Sequence, residues 1–82
     1  MWFVYILKCR GGSLYTGATI DVHRRFAEHK AGKGGSYTRS HLPQAILYVE
    51  KLGSRGSALR REAVIKQMSR AQKLTLIRFH QS

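Results

Sequence analysis

The sequence predicts a small mixed α/β (α+β) fold, in which a three-stranded antiparallel sheet is flanked by helices in the order ββαβαα. Two observations predict it. A pair of strand-like segments surrounds a glycine turn near the start of the chain, and a third lies between stretches with helix-capping residues. With 82 residues the chain has room for one hydrophobic core, so we expect a single domain over residues 1–82.

The first two predicted strands form a hairpin. Residues 2–9 are rich in aromatic and β-branched side chains, which is typical of a buried strand. Gly11 and Gly12 follow and supply the positive φ angles that a tight turn requires. Residues 14–18 are then the partner strand, and residues 45–52 form the third strand of the sheet.

The first predicted helix follows the hairpin and ends near residue 31. Either Thr19 or Asp21 can cap its N-terminus, because both side chains accept hydrogen bonds from free backbone amides. Several glycines end this helix and open a basic loop over residues 32–43.

Two more helices are predicted after the third strand. One covers about residues 58–68, with Ser54 or Ser57 as its cap. Ser69 and Gln72 then match a capping box, which introduces a short last segment over residues 74–79. That segment is a helix or a strand, since its apolar pattern is compatible with both.

The charge of the chain predicts a polyanionic partner. Fifteen Lys and Arg residues oppose four Asp and Glu, which gives a net charge of +11, and nucleic acid is the first candidate for relieving the self-repulsion. A membrane partner is disfavoured, because the predicted helices do not separate basic from apolar faces. Cys9 is the single cysteine, so an internal disulfide and a cysteine-based zinc cluster are excluded, and we expect a cytoplasmic protein.

Two tyrosine tripeptides on the predicted hairpin carry the functional signal. They are Val4-Tyr5-Ile6 and Tyr15-Thr16-Gly17. Arg25 and His29 follow, one turn apart on the first helix. In order and spacing this arrangement resembles the GIY-YIG nuclease domain, as in excision-repair nucleases and in small single-domain members of the UPF0213 type. The resemblance implies metal-assisted cleavage of DNA phosphodiester bonds.

Glu62 is the candidate metal ligand. Hydrolysis of a phosphodiester needs an activated water, a cation to stabilise charge, and an acid or metal for the leaving oxygen. Glu62 lies at the edge of the apolar band of its helix, a costly place for a carboxylate unless a metal or a cation fixes it. The residues leave open a surface ion pair with Lys66. The resemblance implies that Glu62 binds Mg²⁺ or Mn²⁺.

The resemblance also implies catalytic roles for Tyr5, Tyr15, Arg25 and His29. The guanidinium of Arg25 suits charge that develops on phosphate, although a solvated helical arginine is the alternative. His29 either relays a proton or is a surface histidine near a helix end. We assign Tyr15 as the general base and Tyr5 as its partner, and a nearby cation would favour the phenolate. Packing of the two rings is compatible with both roles.

A basic and aromatic set is expected to bind nucleic acid. Its members are Arg24, Lys33, Tyr37, Arg39 and His41. Tyr37 either stacks on a base or covers the core. DNA is favoured over RNA, and the predicted function is a magnesium-dependent endonuclease, structure-selective and linked to DNA repair or recombination.

The alternative is a non-catalytic binding module or an accessory subunit with the same fold. The sequence contains no asparagine, although several members of the resembled family carry one late in the domain. Related nucleases also attach a separate recognition domain, so a larger protein partner is expected to supply target recognition.

Overall fold

The sheet of the protein is three-stranded and antiparallel. In the computed structural model, which describes residues 1–81, the strands are β1 (Trp2–Cys9), β2 (Leu14–Thr19) and β3 (Pro43–Leu52), in the spatial order β2-β1-β3. The central strand β1 is covered on both faces, which explains why Val4 and Ile6 on one face and Leu7 on the other are fully buried. The predicted fold class is confirmed.

A tight turn joins β1 to β2. Gly11 and Gly12 have φ angles of 85° and 87°, in the left-handed region that glycine adopts without strain. The backbone amide of Cys9 donates to the carbonyl oxygen of Ser13 at 2.8 Å and closes the turn. The positive φ angles predicted for this pair of glycines are therefore confirmed.

Four helices pack around the sheet. They are α1 (Val22–Lys30), α2 (Ser36–Ser40), α3 (Arg55–Lys66) and α4 (Arg70–Gln81). Asp21 rather than Thr19 caps α1, because its carboxylate accepts from the amide of Arg24 at 3.1 Å. Ser54 rather than Ser57 caps α3, and the helix consequently begins three residues earlier than predicted. In both helices the capping residue is the one whose side chain accepts a hydrogen bond from a free amide of the first turn.

Two predictions require correction. The segment over residues 32–43 is not a continuous loop, since it contains the five-residue helix α2. A helix of one turn is too short to produce a periodic apolar pattern, and a side-chain cap is absent at Gly35. The last segment is helical over Arg70–Gln81, so the strand alternative for residues 74–79 is wrong.

The two faces of β1 support two hydrophobic clusters. Val4 and Ile6 point toward α3 and α4, where they join Ala58, Ile65 and Ile77. The opposite face carries Tyr5 and Leu7, which lie with Val22 beneath α1. The alternation of side chains along a strand therefore places the first motif tyrosine on the α1 side of the sheet. Among residues 1–81, no helix is long and apolar enough to cross a membrane.

The capping box before α4 gives a test of these element boundaries. Ser69 Oγ accepts from the amide of Gln72 at 3.1 Å, and Gln72 Oε1 accepts from the amide of Ser69 at 2.9 Å. We expect Ser69→Ala to lower the free energy of unfolding by about 1 kcal/mol, because the cap is lost. Urea denaturation measures this change.

The matched control is Ser40→Ala. The hydroxyl of Ser40 is exposed and donates only to the carbonyl of Ser36, so we expect a change within about 0.5 kcal/mol. Equal effects of the two serine substitutions would contradict a stabilising cap at Ser69.

Candidate active site

Four of the residues singled out from the sequence converge on the α1 face of the sheet. The hydroxyl of Tyr5 and Nε2 of His29 are 3.2 Å apart in a buried hydrogen bond between β1 and α1. The ring of Tyr15 packs edge-on against His29 at a centroid distance of 5.2 Å, and lies 6.5 Å from the ring of Tyr5. Arg25 lies beside Tyr5, close enough for its guanidinium to act on the phenol.

Gly17 is the residue that allows this convergence. It lies directly opposite Tyr5 in the β1–β2 ladder, and the phenol crosses β2 above it. A Cβ atom at position 17 would lie 2.6 Å from Cζ of Tyr5, which is far inside van der Waals contact. The glycine of the second tripeptide is thus required by the close approach of the tyrosine of the first.

His29 is fully buried, so its interpretation as a surface histidine is wrong. Its Nδ1 and the Oγ1 of Thr38 on α2 form a hydrogen bond of 2.7 Å. Burial, together with the positive charge of Arg25, lowers the pKa of His29 below its usual range near 6.5. The imidazole is therefore neutral at physiological pH and can accept a proton.

The guanidinium of Arg25 is anchored on two sides. Nη1 donates to Oε1 of Glu28 at 3.1 Å, and Nη2 donates to the carbonyl oxygen of Gly34 at 3.2 Å. About a third of the side chain is exposed, 36%. Arg25 is therefore not a freely solvated arginine: its cation is fixed in place and still accessible to an anion.

Tyr5 differs from the sequence-based expectation in its acidity. The pKa of Tyr5 is raised to about 12, and burial is the largest cause. The phenol of Tyr15 and the carboxylate of Glu62 also raise this pKa, whereas the guanidinium of Arg25 lowers it. The nearby cation favours the phenolate, but removal from water has the larger effect. Tyr5 is consequently a protonated phenol in the resting protein.

Glu62, on α3, lies close enough to Tyr5 for its negative charge to act on the phenol. Its side chain is only 17% exposed, and its Oε2 is 3.2 Å from Nζ of Lys66. The other carboxylates have different partners: Asp21 caps α1, Glu28 pairs with arginines of α1, and Glu50 pairs with an arginine of α3. The ion pair with Lys66, left open by the sequence, is therefore present.

Glu62 offers a single carboxylate, which is compatible with a magnesium ion that substrate phosphates also bind. Within residues 1–81, no group of three or more His, Cys, Asp or Glu side chains lies close enough to bind a metal. Mg²⁺ does not require such a group, because it keeps several waters and commonly binds through one or two carboxylates and substrate phosphates. The single carboxylate of Glu62, close enough to Tyr5 to act on its phenol, is compatible with that pattern.

The predicted nucleic-acid-binding residues lie mainly on the segment after α1. Tyr37 is 42% exposed, and its ring stacks on Tyr15 at 5.9 Å and on His41 at 4.5 Å. Tyr37 therefore packs on Tyr15, which itself packs against the hydrophobic cluster beneath α1, in keeping with the alternative in which Tyr37 covers the core. Lys33 and Arg39 are exposed on the same segment, and Arg24 is an exposed residue of α1 that shares Glu28 with Arg25.

The side chains of Tyr5, Tyr15 and His29 form a tyrosine cluster. Two clefts are lined by residues of the site or its neighbours. One, of about 340 Å³, is lined by Arg24, Arg25 and Glu28 among others. The other has a similar volume, about 340 Å³, and its lining includes Lys66, Lys73 and Tyr15.

Lys66 and Lys73 had no functional role among the predictions from the sequence. The two lysines lie on successive helices separated by a break, so no helical spacing connects them. The predictions also gave no role to Thr38, which lay in a predicted loop.

Comparison with known proteins agrees with this geometry. The family model described as the GIY-YIG catalytic domain matches residues 1–75. The chain therefore belongs to the GIY-YIG family, which is a family of nucleases.

Its similar relatives are UPF0213 proteins. One from Cupriavidus pinatubonensis is 52% identical over 73 residues, covering 89% of this chain and 81% of that protein. Another, from Halobacterium salinarum, is 50% identical over 76 residues, covering 93% and 99%. The solution NMR structure of a UPF0213 protein from Bacillus halodurans matches with a TM-score of 0.61 at 41% identity, over 96% of this chain and 85% of that one.

The raised pKa of Tyr5 predicts a pH-dependent stability. Because the folded state favours the protonated phenol, this contribution is complete below pH 10 and is lost as the pH rises from 10 toward 12. We expect the free energy of unfolding of the wild type to fall by about 2 kcal/mol more than that of Tyr5→Phe between pH 9 and 11.5. Urea denaturation across this range measures the difference, and parallel curves would contradict it.

Proposed function

We propose that the protein is a divalent-metal-dependent endonuclease that hydrolyses DNA phosphodiester bonds. The observation that carries the proposal is the buried pair of Tyr5 and His29 beside the anchored guanidinium of Arg25. His29, a proton acceptor, is thereby connected to the phenol of Tyr5, and the guanidinium of Arg25 beside this phenol binds the phosphate in our proposal. Membership of a nuclease family and the net charge of +11 support the same function.

Proton transfer in this proposal runs through Tyr5. As the water oxygen forms its bond to phosphorus, the phenol oxygen takes the proton of the water, and the phenol proton passes to Nε2 of His29. This concerted path needs no free phenolate, which is consistent with the raised pKa of Tyr5. It gives the base role to Tyr5 rather than Tyr15, because His29 is hydrogen-bonded to Tyr5.

Arg25 and Glu62 complete the proposed machinery. Arg25 stabilises the negative charge that develops on the phosphate while the bond to the leaving oxygen breaks. Glu62 would hold a divalent cation together with the substrate, and the chemistry that this cation would supply is further stabilisation of that charge and of the leaving oxygen. Solvent water returns a proton to the leaving oxygen, and His29 later releases its extra proton to solvent.

The DNA backbone in this proposal runs between the two clefts. Arg24 and Arg25 line one of them, and Tyr15, Lys66 and Lys73 line the other. Lys33, Tyr37, Arg39 and His41 contribute contacts from the segment after α1. We further propose selectivity for a DNA structure, a role in repair or recombination in the cytoplasm, and a larger protein partner that supplies target recognition.

A second candidate is a non-catalytic nucleic-acid-binding module or accessory subunit. Two observations favour it: Glu62 is already paired with Lys66, and Tyr5 holds its proton tightly. DNA affinity alone does not separate the two functions, because a basic surface binds polyanions in either case. Substitutions within the site do separate them.

Glu62→Gln tests the proposed metal ligand. We expect cleavage of branched, flapped, nicked and duplex DNA in Mg²⁺ to fall by at least 100-fold, while DNA affinity stays within about threefold, because only the metal site is lost. Fluorescently labelled substrates report both quantities. Glu50→Gln is the matched control, because Glu50 pairs with a different residue of α3, Arg61. This variant should retain activity at equal folded fraction. Wild-type levels of metal-dependent cleavage in Glu62→Gln would exclude the ligand assignment.

Tyr5→Phe tests the proton transfer. Removal of one hydroxyl preserves the ring, and we expect turnover to fall about 10²–10⁴-fold. Tyr48→Phe is the matched control, because Tyr48 is also buried but donates to Glu50 in the opposite cluster. A larger loss in Tyr15→Phe than in Tyr5→Phe would restore the sequence-based order of the two tyrosines. Full activity in both variants would leave the binding-module function.

A further inference from the structure

Thr38 is a buried polar residue that the proposed reaction does not use. It is 1% exposed, on the one-turn helix α2, and its Oγ1 lies 2.7 Å from Nδ1 of His29. On the other side of the imidazole, Nε2 contacts the hydroxyl of Tyr5 at 3.2 Å. Thr38 therefore completes a buried chain of three side chains that starts at the phenol.

The protons along this chain can be placed from their partners. Tyr5 is protonated and buried, and a buried hydroxyl needs an acceptor. Arg25 is a donor only, so among residues 1–81 the acceptor bonded to the phenol is Nε2 of His29. Neutral histidine then carries its proton on Nδ1 and donates it to Thr38 Oγ1, which in turn donates to the carbonyl of Gly35 at 3.4 Å.

The ring of His29 is also fixed sterically by the segment that carries Thr38. A Cβ atom at Gly34 would lie 2.5 Å from Cε1 of the imidazole and closer still to Nδ1, so the backbone of this segment packs directly against the imidazole. The carbonyl of Gly34 additionally accepts from Arg25. Residues 34–38 thus hold the imidazole and the guanidinium in one arrangement.

We propose that Thr38 is a positioning residue, which fixes the orientation of His29 and its Nδ1–H tautomer so that Nε2 is free to receive the proton of Tyr5. The catalytic consequence rests on the proposed nuclease function, whereas the tautomer does not. The opposite tautomer would point Nε2–H at a phenol that already carries its own proton, and the transfer from Tyr5 would have no acceptor.

The first measurement is the tautomer of His29 by long-range ¹H–¹⁵N NMR of the full chain near pH 8. We expect Nδ1–H in the wild type and in Thr38→Ser, which keeps the hydroxyl. In Thr38→Val we expect a mixture of tautomers or Nε2–H. Thr75→Val is the matched control, because Thr75 is exposed and donates only to the carbonyl of Ala71. Nε2–H in the wild type would overturn the proposal without any variant, and so would Nδ1–H retained as the single tautomer in folded Thr38→Val.

The second measurement is DNA cleavage by the same proteins at equal folded fraction. We expect Thr38→Val to lose about 10–100-fold, the range typical when a hydrogen bond that orients a functional histidine is removed. Thr38→Ser should recover most of the activity, and Thr75→Val should be unchanged. Full activity in Thr38→Val despite a changed tautomer would overturn the catalytic role of Thr38. A wild type that cleaves nothing would instead refute the nuclease function, with the NMR result still deciding the positioning.

Discussion

The buried hydrogen bond between Tyr5 and His29 is the interaction on which the site depends. It joins the central strand of the sheet to α1, and it forms only because Gly17 lets the phenol pass across β2. Burial of the phenol at this point is the largest cause of its raised pKa of about 12. The close approach of Tyr5 to β2 therefore sets both the position of the phenol and, through its burial, the group that carries the proton.

The second constraint is the scarcity of negative charge. The chain has four carboxylates against fifteen Lys and Arg, and each of the four has a defined partner. Glu62 is the one that lies near the tyrosine cluster without pairing with an arginine. Most of the positive charge thus remains available to a polyanion. Glu62 itself is paired with Lys66, which a divalent cation would have to displace.

Local patterns in the sequence predicted the strands, the glycine turn and the capping box at Ser69, and narrowed the cap of α1 to Thr19 or Asp21, because each of these depends on neighbours within a few residues. The resemblance to a known family predicted that Tyr5 and Arg25 belong to one site. A nearby cation was expected to favour the phenolate. Arg25 does act in that direction on Tyr5, but burial, a property of the packed fold, raises the pKa of Tyr5 by more. Thr38 was missed for a similar reason: its partner His29 lies nine residues away, on another helix.

The alignment of His29 depends on the short helix α2. A five-residue helix without a side-chain cap does not persist in isolation, so α2 depends on Thr38 bonded to His29 and on Tyr37 stacked against Tyr15. Residues 36–40 and the imidazole therefore depend on each other's contacts, and local opening of α2 would release the imidazole. Amide hydrogen exchange of α2 would report this opening, and its equilibrium constant sets the fraction of molecules in which the imidazole is aligned.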